Sequence, residues 1–173
     1  MVEKRIDLMK QTENYFVHET AVVDGPVVIG AGSKIWHFSH ILSDSSIGAN
    51  CVIGQNVMIG PEVVIGDNCK IQNNVSIFKG VIIEDNVFIG PSVVFTNVLV
   101  PRSFINQKKK FKKTLIKKGS TIGANSTIIC GNNIGKYSFI GAGSLLTSSI
   151  GDNEIGYGIP YKKKGKISKS GII

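Results

Sequence analysis

The chain has 173 residues, 42% of them hydrophobic and 18% charged, with a formal net charge of +8. That is the length of one domain and too apolar for a disordered chain, and no apolar run approaches the ~20 residues a membrane span needs. Cys51, Cys69 and Cys130 show no C-x-x-C spacing, which argues against a disulfide framework or a zinc cage.

Residues 1–14 precede the regular pattern and are expected to form an N-terminal cap. Met1 to Lys10 alternates charged and apolar residues. It lacks the apolar stretch and cleavage site of a secretory signal, so a soluble cytoplasmic protein is expected.

From residue 15 to 97 a repeat takes over. Val17, Val23, Ile29, Ile35, Ile41, Ile47, Ile53 and so on to Phe95 fall at six-residue intervals, and the series resumes from Ile116 to Leu146. A helix repeats its apolar face every 3.6 residues and a strand every two. A period of six fits short strands separated by turns in register. Glycine often follows the aliphatic residue, as at Gly48, Gly54 and Gly66. Asn50, Asn56, Asn68, Asn74, Asn86 and Asn125 stand three after it. Asn tolerates a left-handed backbone, so this position is the corner. The residue two before the aliphatic is small or β-branched, as at Ser33, Cys51, Val57 and Cys69, which suits the inner side of a narrow corner.

Three hexads close a triangular coil of 18 residues, with consecutive coils about 4.8 Å apart. The pattern resembles the hexapeptide-repeat family. That resemblance implies an all-β, left-handed parallel β-helix, where the general rule for parallel crossovers gives a right-handed one. Cys51 and Cys69 stack inward as small core filler. The chain reads as a single domain, 1–173, with coils at 15–97 and 116–150. The hexad phase breaks over 98–115, an extruded loop, and residues 151–173 leave the β-helix as a tail. A solenoid has long faces to cover, and trimerisation is the family's usual answer.

Exceptions to the repeat mark candidate chemistry. In the column of turns after Ile35, Ile53 and Ile71 the sequence reads Trp36-His37-Phe38, Gly54-Gln55-Asn56 and Gln72-Asn73-Asn74. His37, Gln55 and Asn73 form a polar ladder able to donate and accept hydrogen bonds. That suits a sugar's hydroxyls or a nucleotide base. His40 points outward beside the ladder. Asn74 and Asn56 serve either the corner backbone or a ligand, and Trp36 either an interface or a base. Phe95-Thr96-Asn97 replaces the glycine turn before the loop, which places Asn97 near the upper end of the same surface.

The positive charge is localised. Lys108, Lys109, Lys110, Lys112, Lys113, Lys117 and Lys118 share one segment, and Lys162, Lys163, Lys164, Lys166 and Lys169 the tail. Such clustering suggests a phosphate-bearing partner, a nucleic acid, nucleotide or coenzyme, or else a solvated rim.

An ordered set of motifs extends the resemblance: IWHFSHI (35–41), GQNVMIG (54–60), KIQNNVSI (70–77), GPSVVFTNV (90–98) with PRS (101–103), LIKKGSTIGANSTI (115–128) and IGAGSLLT (140–147). Over roughly residues 16–160 the chain resembles the sugar 3-N-acetyltransferases of bacterial surface-polysaccharide pathways. These use acetyl-CoA to acetylate the 3-amino group of UDP- or dTDP-linked aminosugars. The resemblance implies that Asn97 orients the amine without a side-chain base. His37 is the alternative general base, since imidazole titrates in the right range. The ladder, with His40, Asn74 and Arg102, is expected to hold the nucleotide-linked aminosugar. The coenzyme is expected beside the turns at Ala124 and Ala142, with Lys117 or Lys118 on its phosphates. No metal is expected, and the sites are expected between subunits of a homotrimer.

The chain departs from its relatives in reading Asn97-Val98-Leu99-Val100-Pro101-Arg102 where many have Asn-Pro-Arg, and in its Tyr161 and lysine tail. Other readings are an acyltransferase with a 4-amino or hydroxyl acceptor, a zinc carbonic anhydrase of the same fold and a basic nucleic-acid-binding module. The carbonic anhydrase needs three converging histidines, against only His18, His37 and His40 here, with His18 placed before the regular coils. The nucleic-acid module needs stacking aromatics, against only Phe111 and Tyr161 among these lysines.

Overall fold

The computed structural model describes residues 14–172, so the expected N-terminal cap lies almost wholly outside the described residues. Three sheets of nine, seven and five strands, parallel except for the last strand of the first, wrap one core. The first sheet begins with Phe16–Val17, Lys34–Ile35, Val52–Ile53, Lys70–Ile71 and Phe88–Ile89. The second takes Val22–Val23, His40–Ile41, Met58–Ile59, Ser76–Ile77 and Val94–Phe95. The third takes Val28–Ile29, Ser46–Ile47, Val64–Ile65 and Val81–Ile83. Ile35, Ile53, Ile71 and Ile89 are direct partners in successive coils, which is the 18-residue register the hexads predict. The fold is a left-handed parallel β-helix.

The corners form where the sequence places them. Asn50, Asn56, Asn68, Asn74, Asn86 and Asn125 all take φ between 55° and 60°, a region that costs most side chains energy. The aliphatic columns are buried, Ile35, Ile53 and Ile71 completely. Beside them small inward residues such as Ser33 and Ser39 satisfy their own polar atoms. Ser33 Oγ donates to the Gly48 carbonyl at 2.7 Å and Ser39 Oγ to the Gly54 carbonyl at 2.8 Å. The thiols of Cys51 and Cys69 repeat this contact to the carbonyls of Gly66 and Glu84, each at 3.1 Å. The hydrogen bond between the two cysteines and burial push the Cys69 thiol well up, so it stays neutral core filler.

After Phe95 the coil opens. The chain leaves the corner between the second and third sheets, makes a short 3-10 turn at Lys108–Lys110 and rejoins the third sheet at Thr114–Ile116. Thr121–Ile122 and Thr127–Ile128 then pair with Phe88–Ile89 and Val94–Phe95, so the loop is extruded without disturbing the stack.

The upper end differs from expectation. The β-helix does not stop at 150: Glu154–Tyr157 continues the first sheet in parallel with Phe139–Ile140. Ile150 and Ile155 fill the core there, each 7% exposed. They sit at irregular spacing after Leu146, so the six-residue count loses them while burial still selects them. Lys162–Lys166 then folds back antiparallel on Glu154–Tyr157 and ends the sheet.

Candidate functional site

The three edges of the prism carry different chemistry. The edge between the first and second sheets holds the turns that contain His37, Gln55 and Asn73. Trp36, His37, Gln55 and Asn73 line one open cleft of about 360 Å³. The ladder is wired through the backbone: Asn73 Oδ1 accepts the Gln55 N–H at 3.0 Å. Glycine at 54 makes room for this, because a Cβ there would meet Asn73 Oδ1 at 2.5 Å. One position along, Asn56 Nδ2 donates to Asn74 Oδ1 at 2.9 Å. With its φ of 60°, that bond accounts for Asn74 structurally.

The lower end of the ladder is aromatic. Phe16 packs on Trp36 with ring centroids 5.5 Å apart, and His18 stacks on His37 at 3.5 Å with planes 29° apart. His18 therefore belongs to the first coil, contrary to its expected place before the coils. Its Nδ1 accepts the Thr20 N–H at 3.2 Å and lies 3.0 Å from the Thr20 hydroxyl. Thr20 Oγ1 in turn accepts the N–H of Phe38 at 3.0 Å. A backbone donor on Nδ1 leaves the proton of neutral His18 on Nε2. The sequence signal for His18 was its 18-residue offset from Trp36, hidden because the coil below lacks the corner glycine.

His40 lies apart on the second sheet, exposed and paired through Nε2 with Asp24 Oδ2 at 3.0 Å. Among the described residues no three His, Cys, Asp or Glu side chains converge as a metal-ligand set.

Ala124 and Ala142 continue the ladder's edge upward, in the turns after Ile122 and Ile140 of the first sheet. They leave it smooth: a Cβ at Gly123 would run into the Ala142 backbone. This upper stretch suits a thin, extended apolar arm.

Asn97 and Lys117 do not share that edge. Asn97 sits on the edge between the second and third sheets, where its carbonyl accepts the Lys112 N–H at 3.0 Å. The expectation that it caps the ladder's own surface is corrected by topology, since a third of a coil separates the two turns. Lys117 and Lys118 occupy the remaining edge, between the third and first sheets. Lys118 Nζ lies 3.4 Å from Asp85 Oδ2, and its N–H donates to Glu84 Oε2 at 2.8 Å. A hydrogen bond from the Asp67 N–H, helped by Lys118, holds the Asp85 carboxyl below its ordinary range. Lys118 is thus partly neutralised, whereas Lys117 has no carboxylate within 4.0 Å among the described residues. Arg102 is exposed in the loop and donates to the Pro101 carbonyl at 3.0 Å.

Comparison with known proteins agrees with this architecture. Residues 35–104 match the GMPPB C-terminal domain and residues 114–148 the hexapeptide repeat of succinyl-transferase. The described fold is similar to a hexapeptide transferase family protein from Anaplasma phagocytophilum (TM-score 0.60, 19% identity, 90% of this chain and 85% of that one). It is also similar to AntD, an N-acyltransferase from Bacillus cereus crystallised with dTDP and coenzyme A (TM-score 0.54, 21% identity, 96% and 90%). In sequence the chain is 44% identical over 160 residues, 92% of its length and 82% of the relative's, to the dTDP-3-amino-3,6-dideoxy-alpha-D-galactopyranose 3-N-acetyltransferase of Aneurinibacillus thermoaerophilus. By that identity along nearly its whole length, the chain belongs to the hexapeptide-repeat family of sugar-nucleotide 3-N-acetyltransferases.

Proposed function

We propose that this protein transfers the acetyl group of acetyl-CoA to the 3-amino group of a dTDP- or UDP-linked aminosugar, a step in building a bacterial surface polysaccharide in the cytoplasm. The observation that carries the reading is the 44% identity to a dTDP-aminosugar 3-N-acetyltransferase across 92% of the chain. The cleft's chemistry supports it. Gln55 and Asn73 are neutral groups able to hydrogen-bond hydroxyls, and Trp36 offers a half-exposed face to a base.

In the proposed reaction the lone pair of the neutral amine attacks the thioester carbonyl carbon. The C–S bond of the tetrahedral intermediate then breaks, coenzyme A leaves as thiolate, and the amine's proton ends on that sulfur. Positioning supplies most of the acceleration, and backbone N–H groups stabilise the oxyanion. Asn97 orients the amine. His37 is the alternative general base. The coenzyme's pantetheine arm runs along the smooth edge at Ala124 and Ala142, and Lys117, which lacks the carboxylate partner that Lys118 has, meets its phosphates.

One chain holds the ladder and Asn97 on different edges. Two chains side by side bring the ladder of one against the Asn97 edge of the next, and three close the ring. We therefore infer a homotrimer with its sites between subunits. The test is a panel of dTDP- and UDP-linked 3-amino and 4-amino sugars with acetyl-CoA, following thiol release, with light scattering for the assembly. Thiol release with no 3-amino sugar, or a monomer at working concentration, overturns the respective part.

A further inference from the structure

A second cavity lies off the ladder, at the root of the extruded loop. It measures about 450 Å³ and is lined by Lys109, Lys110 and Lys112 with Leu99, Gln107 and Phe111 among its walls. Residues 98–118 contain Arg102 and seven lysines and no Asp or Glu. Among the described residues, none of Lys108, Lys109, Lys110, Lys112 and Lys113 has a carboxylate within 4.0 Å. Three lysines with no acidic partner line this one cavity, and a bound polyanion relieves the repulsion among their like charges. The cavity is tied to the candidate site by the Lys112 N–H bond to the Asn97 carbonyl at 3.0 Å.

We propose that this cavity is a binding pocket for a diphosphate ester. The ammonium groups of Lys109, Lys110 and Lys112 take the phosphate oxygens, and the apolar wall of Leu99 and Phe111 takes the organic group beside them. This goes beyond the acetyltransferase reading and rests on it only for the ligand's source. A nucleoside diphosphate sugar and coenzyme A both carry such a diphosphate.

The test is calorimetric titration of the full-length protein with inorganic pyrophosphate, dTDP and coenzyme A, each at low and moderate salt. The double variant Lys109→Gln/Lys110→Gln is compared with Lys108→Gln/Lys113→Gln, which removes the same charge from positions that do not line the cavity. Thermal melting checks that both fold. The pocket variant is expected to lose pyrophosphate binding. It should weaken one of dTDP and coenzyme A by about tenfold or more, on the scale of lost charge-assisted bonds, and flatten its salt dependence. The ligand that weakens identifies the source, and the control variant retains wild-type affinity. Unchanged affinity for all three ligands, or an equal loss in both double variants, overturns the proposal. Because the readout is binding, a protein that acetylates no aminosugar still tests the pocket.

Discussion

His18 and His37, which are 19 residues apart, stack face to face with ring centroids 3.5 Å apart. Thr20 fixes His18 from the other side through its N–H on Nδ1. The ring that flanks the candidate cleft is therefore held by an element that has no access to a ligand through that nitrogen. Replacing His18 by Phe should preserve the stack and keep the acetyl-transfer KM within about twofold. His18→Ala should leave His37 unsupported and raise KM by about tenfold, as loss of one positioned contact does. Steady-state kinetics of the two variants decide whether stacking or an imidazole-specific role matters.

Asn97→Ala is expected to lower kcat by about 100-fold or more with little change in either KM, the signature of a group that acts mainly in the transition state. His37→Ala should raise the sugar-nucleotide KM more than it lowers kcat. If Asn97→Ala retains full turnover while His37→Ala abolishes it, the roles of the two residues are reversed and His37 is the base.

The buried serines make a stability contrast. Ser39 Oγ donates to the Gly54 carbonyl and accepts the Val57 N–H at 3.2 Å. The hydroxyl of Ser120, equally buried, has no hydrogen-bond partner. Ser39→Ala should cost about 1–2 kcal/mol by stranding a buried amide donor. Ser120→Ala should be neutral or stabilising, because it removes an unpaired buried hydroxyl. Urea unfolding of the two variants side by side checks both signs.

Tyr161 packs under the closing hairpin, 3.4 Å from Glu154 Oε1. Burial, then the negative charge of Glu154, pushes its phenol above the ordinary value of 10. A folded pKa above the unfolded one gives stability that is complete below about pH 10 and is lost as pH climbs toward the folded value. Tyr161→Phe should therefore lower stability somewhat at neutral pH and flatten the alkaline decline. Thermal melts across that range measure the slope.

The fold was legible because one rule operates at every coil. Burial chooses Ile53 and Ile71, and a left-handed corner chooses Asn56 and Asn74, each at a fixed offset. The rule lapsed where turns shorten, and so Ile155 was assigned to the tail although the core still takes it. The ladder of His37, Gln55 and Asn73 could be read because vertical register follows from the 18-residue step. Its relation to Asn97 could not be read the same way. The 18-residue step puts Phe95 in the column of Ile41, Ile59 and Ile77 and so on a different edge, but which edges of neighbouring subunits meet over a ligand is not set by the period. The lysine cavity had no period at all, and only the folded path of the loop brings Lys109, Lys110 and Lys112 to a common wall.

The closing strand Lys162–Lys166 has a consequence for the molecule's company in the cell. A stack of parallel rungs is a template on which another chain can crystallise end to end, as in amyloid. Here the last rung is antiparallel, and four of its five residues are lysine. A newcomer to the first sheet meets a strand of reversed direction and a comb of like charges at once, which disfavours end-to-end growth from that sheet.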